Sequence, residues 1–124
     1  MEVKFYKCKH CGQIVAIVKK TGVPVVCCGE AMEELVPGTS DGAYEKHVPV
    51  YTVKDGKVAV QVGSIAHPML EAHYIEWIAV QTENGIQRKV LKPGEEPKAC
   101  FALCEGESVV AVYEYCNLHG LWKA

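Results

Sequence analysis

The feature that most constrains this chain is its set of cysteines, which are numerous and clustered. Seven occur in 124 residues, and four of them fall within the first 36. The spacing of these four is C-x2-C, then fifteen residues, then an adjacent pair: Cys8, Cys11, Cys27 and Cys28. The total is odd and the first residues lack the layout of a secretory signal, so a disulfide framework is not expected. Clustered thiols in a reducing compartment more often hold metal.

The N-terminal pattern predicts a tetrathiolate site, a donor set that suits zinc or a single iron. Gly12 and Gly29 follow the two halves, and glycine lets the backbone turn tightly around a metal. Spacing alone favours zinc, because structural zinc ribbons are widespread. The adjacent pair Cys27-Cys28 is unusual for a ribbon, however. A segment of about 36 residues is too small to fold on a core alone, so we expect the metal to organise it.

Composition and charge limit the class of protein. A hydrophobic fraction of 49% is ordinary for a chain that buries a core. No apolar run approaches the roughly 20 residues of a membrane helix. The net charge is −2 and no basic block is present, which argues against a nucleic-acid binder. We therefore expect a cytoplasmic protein with no nucleic-acid or membrane partner.

The turn-forming stretch PGTSDG at 37–42 is typical of a linker. It predicts two domains, residues 1–36 and 37–124. Strand signals dominate the second, with tight turns expected at Asp55-Gly56 and Asn84-Gly85. The predicted strand runs are 48–53, 58–62, 74–81, 86–91, 99–104 and 109–116. The fold class is therefore all-β: an immunoglobulin-like β-sandwich preceded by a small metal-binding domain.

A second site is predicted beyond the linker from four histidines and one cysteine. Each histidine falls at the edge of a strand run or outside one, where sites are usually built. Any one of them alone could be an exposed loop histidine. Structural zinc closes at four ligands, whereas iron fits five donors with an open position opposite the thiolate. The five candidates are His47, His67, His73, Cys116 and His119.

Two cysteines are left outside both sites. Cys100 and Cys104 lie in one predicted strand run, which would place their Cα atoms about 13 Å apart. A disulfide needs no more than about 7 Å. We expect both to be small, buried apolar residues.

Taken in order, five motifs resemble those of desulfoferrodoxin, the two-iron form of superoxide reductase. They are CKHCG…VCCGEAM, DGAYEKHVPV, GSIAHPMLEAHYIEWI, LKPGEEP and YCNLHGLWKA. The resemblance spans nearly the whole chain and implies a rubredoxin-like iron, as in desulforedoxin, on the four N-terminal cysteines. It thereby favours iron over zinc there. It also implies a second iron with His47, His67, His73 and His119 equatorial and Cys116 axial.

The resemblance further implies an enzyme, an oxidoreductase that acts on superoxide. The family reaction is one-electron reduction of superoxide to hydrogen peroxide, using two protons and an external donor such as rubredoxin. Glu45 matches the family's glutamate that occupies the sixth position in the oxidised state. Lys46 matches the lysine beside the open site. A homodimer is implied as well.

Two other functions stay open on the residues alone. A non-enzymatic electron carrier of the blue-copper type would use two histidines, a cysteine and often an axial methionine. None of Met1, Met32 and Met69 follows Cys116, and four histidines are too many. A zinc-ribbon interaction module with an unrelated sandwich would explain the N-terminal cysteines but leave YCNLHG unexplained.

Overall fold

The computed structural model describes residues 3–124, and the chain divides into two compact units, residues 1–36 and 37–124. Within the described part, all pairings between strands are antiparallel. None of the helical structure found there is long and apolar enough to cross a membrane.

The N-terminal unit consists of two small sheets that end at the cysteines. A three-stranded sheet has the order β2-β1-β5, and β3 pairs with β4 as a ribbon. The strands are β1 Phe5–Lys7, β2 Ile14–Ala16, β3 Val26–Cys27, β4 Glu30–Ala31 and β5 Glu33–Glu34. Among its described residues only Phe5, Cys8 and Met32 are buried apolar side chains. Such a small core agrees with a unit that depends on its metal.

The C-terminal unit begins with one short helix and continues as seven strands in two sheets. One sheet has the order β10-β7-β6 and the other the order β12-β11-β8-β9. The elements are α1 Tyr44–His47, β6 Pro49–Lys54, β7 Lys57–Val62, β8 Ile75–Thr82, β9 Gly85–Val90, β10 Lys98–Ala102, β11 Val109–Cys116 and β12 Gly120–Lys123. The prediction of an all-β protein with an immunoglobulin-like sandwich is confirmed.

Alternating apolar residues build the core of the sandwich. On β7 every second residue is buried, so that Val58, Val60 and Val62 share one face. Side chains alternate between faces along a strand. These valines pack with residues of the second sheet, including Ile78 and Val112. Cys116, the last residue of β11, belongs to the same buried cluster.

The first predicted hairpin is confirmed. Lys54 pairs with Lys57, and Asp55 and Gly56 between them have φ of 51° and 72°. Positive φ at both positions gives the turn the twist that antiparallel strands need. The second hairpin turns one residue earlier than predicted. Thr82 pairs with Gly85, so its turn residues are 83 and 84.

The prediction that Cys100 and Cys104 are buried is wrong, because both thiols are free and exposed. Phe101 points into the core from β10, so its neighbour Cys100 must point outward. Cys104 lies beyond the end of the strand, which stops at Ala102. The predicted strand therefore ended two residues too late.

The sequence did not predict α1 or β12. Four residues are too few to show a helical period. The strand β12 is short, and it follows Cys116 after a turn of only three residues. Both elements matter, because they place ligand candidates at one end of the sandwich.

Candidate metal centres

The four N-terminal cysteines come together in one group, the tetrathiolate site. Each offers a sulfur, and all four sulfurs lie within 4.8 Å of one another. The Sγ atoms of Cys11 and Cys27 are 3.6 Å apart. The backbone N–H of Cys11 donates to Cys8 Sγ over 3.5 Å, and this contact is the main reason that the pKa of Cys8 falls to about 6. Cys8 therefore favours the thiolate, the form of cysteine that binds metal, whereas hydrogen bonds with Cys11 and Cys8 raise the pKa of Cys27 to about 12 and also raise that of Cys28.

The backbone explains how two adjacent cysteines can serve one metal. Successive side chains of an extended chain point in opposite directions. Cys28, however, has a φ of 50°, in the left-handed region, and Gly29 follows with a φ of 74°. A left-handed conformation costs a residue other than glycine about 1–2 kcal/mol. The left-handed backbone at Cys28 points its side chain toward that of Cys27, so that both sulfurs lie in the same group.

Four imidazoles form a closed ring in the C-terminal unit. Neighbouring ring centroids are 4.7 Å apart for the pairs His47–His67, His67–His73 and His47–His119, and 4.9 Å apart for His73–His119. The planes of neighbouring rings are inclined by 76–90°. Cys116 completes this group, the histidine–cysteine site, and the five ligand atoms lie within 4.8 Å of one another.

Different elements supply these five residues. His47 is the last residue of α1, and Cys116 is the last residue of β11. His67 and His73 lie in the connection between β7 and β8, and His119 lies in the turn before β12. Antiparallel pairing brings these positions to the same end of the sandwich, since Cys116 lies opposite Ile75 at the start of β8.

Hydrogen bonds select which nitrogen of two histidines faces the centre. The Nδ1–H group of His47 donates to Ala43 O at 2.8 Å, and that of His67 donates to Pro68 O at 2.7 Å. Each ring thus keeps an unprotonated Nε2, whose lone pair is available to bind a metal. These two Nε2 atoms are 3.2 Å apart, and Nδ1 of His119 is 3.0 Å from Nε2 of His47.

The spacing of the donor atoms fits a metal. Two nitrogens at right angles about a metal, each about 2.1 Å from it, are about 3.0 Å apart. Nε2 of His73 is buried and makes no hydrogen bond in the described part of the chain. Buried polar atoms are rarely left unsatisfied, so this nitrogen is also a candidate ligand atom. Cys116 Sγ lies 3.8 Å from His119 Nδ1.

Burial keeps three of the imidazoles neutral. It lowers the pKa of His47 and His73, and it lowers that of His67 to about 4. Burial also raises the pKa of the Cys116 thiol, against the N–H groups of His119 and Leu118, which lower it. At neutral pH these three rings therefore present lone pairs, whereas the thiol keeps its proton until a metal displaces it.

Trp122 supports two of the histidines, a role that sequence reasoning did not assign. Its ring stacks on that of His47 with centroids 5.0 Å apart. Its Nε1–H group donates to His119 O at 3.0 Å. Gly42 is needed beside this pair, because a Cβ there would lie 3.1 Å from the rings of both His47 and Trp122. The motif HGLWKA contained the signal, a large aromatic residue three positions after a ligand candidate.

Glu114 is a second residue that the sequence did not flag. Alternation along β11 places its side chain on the same side as that of Val112, and both carboxyl oxygens are buried without a hydrogen bond among the described residues. Burial raises its pKa to about 9. The carboxyl group is therefore neutral at pH 7, which avoids the cost of a buried charge.

Glu45 and Lys46 lie in α1 with exposed side chains. The helix is held through the backbone of Glu45, whose carbonyl accepts hydrogen bonds from Ile65 N–H at 2.9 Å and Ser64 Oγ–H at 3.2 Å. The charge of Lys46 adds to burial in lowering the pKa of both His47 and His73. Lys46 is thus close enough to influence the site electrostatically.

Comparison with protein families accounts for nearly the whole chain. The family model described as Desulfoferrodoxin matches residues 39–124, and the model of the desulfoferrodoxin N-terminal domain matches residues 1–35. The chain belongs to the desulfoferrodoxin family. The resemblance identified from the sequence motifs is confirmed.

Individual relatives match either the whole chain or about two thirds of it. Desulfoferrodoxin of Nitratidesulfovibrio vulgaris is 50% identical over 123 residues, which are 99% of this chain and 96% of the relative. The crystal structure of the superoxide reductase from Treponema pallidum matches with a TM-score of 0.84 and 39% identity, covering 100% of this chain and 99% of that one. The one-iron superoxide reductase of Giardia intestinalis matches with a TM-score of 0.55 and 34% identity, covering 64% of this chain and 95% of that one.

The donor sets fit the two irons of this family. Four sulfurs in one group suit a tetrathiolate iron. Four imidazoles and one thiol exceed the four ligands of structural zinc. They also exceed the two histidines and one cysteine of a blue-copper site, so the grouping argues against an electron carrier of that type. The cofactors are accordingly two irons per chain, one held at the tetrathiolate site and one at the histidine–cysteine site.

Proposed function

We propose that this chain is a superoxide reductase, which reduces superoxide to hydrogen peroxide with one electron and two protons. The observation that carries the proposal is the closed ring of four imidazoles that a thiol joins from the apolar core. The proposed ligands are His47, His67, His73, His119 and Cys116. Iron held there supplies a one-electron reductant, and a thiolate ligand donates electron density to it. The electron comes from an external donor such as rubredoxin.

The burial of the ligands supports one direction of approach for the substrate. Cys116 is fully buried within the core cluster. His73 and His119 are partly exposed, as is expected for the outer edge of the site. Superoxide and the water that supplies protons would therefore arrive from the side opposite the thiolate.

Glu45 and Lys46 are proposed to act at that outer side. Lys46 attracts the anion, because its charge acts on His47 and His73. Glu45 would occupy the substrate position only after the electron has left, and would return to solvent when the site is reduced. The bonds from Ile65 and Ser64 to the Glu45 carbonyl hold the backbone while the side chain moves.

The two units are proposed to have separate tasks. Residues 1–36 would form a desulforedoxin-like domain whose iron is bound by Cys8, Cys11, Cys27 and Cys28, and residues 37–124 would form the reductase domain. A one-iron superoxide reductase matches 64% of this chain, which supports the assignment of catalysis to a single centre. We further propose a homodimer, on family resemblance, and a cytoplasmic location, because all seven cysteines are free.

The yield of peroxide tests the proposal directly. Known amounts of superoxide, generated by pulse radiolysis, are mixed with the reduced protein and an excess of donor. A reductase forms one peroxide per superoxide and releases no dioxygen, whereas a dismutase forms half as much peroxide and releases dioxygen. Cys116→Ser should lose the activity, because a neutral hydroxyl cannot donate charge as a thiolate does. Cys100→Ser is the matched control, since that thiol is exposed and outside both groups.

Two results would contradict the proposal. One is release of dioxygen with the half yield of peroxide. The other is near-normal turnover by an iron-loaded Cys116→Ser protein.

A further inference from the structure

His73 is carried by a tight turn on the surface. Leu70 and His73 exchange two backbone hydrogen bonds, of 2.9 and 3.0 Å, around residues 71 and 72. Leu70 is 66% exposed, and residues 71 and 72 are exposed as well. A turn with so little burial does not hold a side chain rigidly by packing. Its position must come from bonds to a neighbouring element.

The carboxamide of Asn117 provides such bonds on both sides of His73. Its Oδ1 accepts a hydrogen bond from Tyr74 N–H at 2.9 Å. Its Nδ2–H group donates to Ala72 O at 3.1 Å. In addition, the backbone N–H of Asn117 donates to Tyr74 O at 3.2 Å. One residue thus holds the chain immediately before and immediately after a ligand candidate.

Asn117 is also the neighbour of Cys116. The paired strands β8 and β11 end at the pair Ile75–Cys116, where their register is irregular. Beyond that pair the two strands no longer pair, and the backbone and side-chain bonds of Asn117 continue the connection to the turn that precedes β8. The side chain therefore links the turn that carries His73 to the strand end that carries Cys116.

We propose that Asn117 is a positioning residue that fixes His73 relative to Cys116 and thereby sets how tightly the site holds its iron. The inference rests on the iron site of the proposed function. Asn117 offers none of the five ligand atoms, so it acts through the two residues that it orders. Residues that orient metal ligands typically contribute 10- to 100-fold to metal affinity.

The rate of iron release to a competing chelator tests this role. The tetrathiolate iron of the same molecule is the internal reference, and the ferric absorption spectrum reports the thiolate ligand. Asn117→Ala should release the iron of the histidine–cysteine site about 10- to 100-fold faster than the original protein and shift its thiolate-to-iron absorption band. Release from the tetrathiolate site should not change.

Asn117→Asp separates the two bonds. An aspartate keeps an acceptor for Tyr74 N–H but has no donor for Ala72 O, so its release rate should lie between those of the original protein and Asn117→Ala. Asn84→Ala is the matched control, since residue 84 lies in the turn between β8 and β9 at the other end of the strand. It should release both irons at the original rates.

Unchanged release and an unchanged spectrum in both Asn117 variants would overturn the proposal. So would equal acceleration at both irons, or a parallel fall in the urea midpoint of the iron-free protein that accounts for the release, because these results describe general destabilisation. If Asn117→Ala does not fold, Asn117→Asp decides by the same two measurements. A wild-type protein that binds no iron at the histidine–cysteine site would instead refute the proposed function.

Discussion

Lys46 is an exposed side chain next to the ligand candidate His47 in a protein whose net charge is −2. The overall field therefore offers superoxide no attraction, and steering has to be local. Local fields raise association rates by roughly 10- to 1,000-fold, and one lysine should supply the lower end. We expect Lys46→Ala to slow the second-order reaction of the reduced protein with superoxide by about tenfold and to flatten its salt dependence.

Pulse radiolysis at several ionic strengths measures both effects. Glu45→Ala should leave this step nearly unchanged, because its carboxylate is proposed to bind only after oxidation. Lys54→Ala is the charge-matched control, since Lys54 is an exposed lysine at the end of β6, beside the hairpin turn. Equal rates and equal salt slopes for Lys46→Ala and the original protein would leave Lys46 without a steering role.

At the scale of elements, α1 depends on the close approach of the segment that follows β7. Gly63 has a φ of 81°, and a Cβ there would overlap Ile65 O and lie 2.6 Å from Glu45 O. An alanine must therefore push this segment away from the helix that ends at His47. We expect Gly63→Ala to destabilise the C-terminal unit by about 1–3 kcal/mol and to lower the iron content of the histidine–cysteine site.

Gly106 supplies the comparison for this variant. Its φ is 80°, but a Cβ there would meet nothing within 4 Å. Gly106→Ala carries the same backbone cost without the contact, so it should unfold at slightly lower urea and keep its iron. Urea titration and iron analysis of both variants test the idea. Equal iron contents would mean that the contact between residue 63 and α1 does not shape the site.

At the scale of the whole molecule, the two units differ in what holds them together. The described residues of the first unit bury three apolar side chains, whereas the second has a continuous core between two sheets. Cys28→Ser should therefore remove the tetrathiolate iron and expose the amides of residues 5–34 to rapid hydrogen exchange. Slow exchange in β7, β8 and β11 and the rate of superoxide reduction should persist.

Hydrogen exchange measured by mass spectrometry tests the expected loss of protection in the first unit. Pulse radiolysis of the same sample tests whether superoxide reduction persists. A Cys28→Ser protein that is folded, keeps its second iron and yet fails to reduce superoxide would show that the N-terminal iron takes part in the chemistry. The proposed separation of tasks would then be wrong.

Much of this protein could be predicted from local chemistry. The cysteine spacing predicted a tetrathiolate group, and the four sulfurs do lie together. Residue type alone indicated iron at the second site, because four imidazoles and one thiolate suit iron and few other metals. The pair Asp55-Gly56 predicted its hairpin because both residue types readily adopt the positive φ that this turn needs at two successive positions.

Other features depended on tertiary structure. Cys100 and Cys104 are chemically suited to a core, and only the register of β10, with Phe101 inward, turns Cys100 to solvent. The neighbouring sequence does not distinguish Asn117 from other asparagines in turns. Its role depends on the pairing of β8 with β11, which brings residues 72 and 74 within reach of its carboxamide. The sequence by itself determined which atoms can bind metal, since that is a property of each side chain. The fold decided which of those atoms meet and what holds them there, because distances between residues up to 72 positions apart exist only in the packed chain.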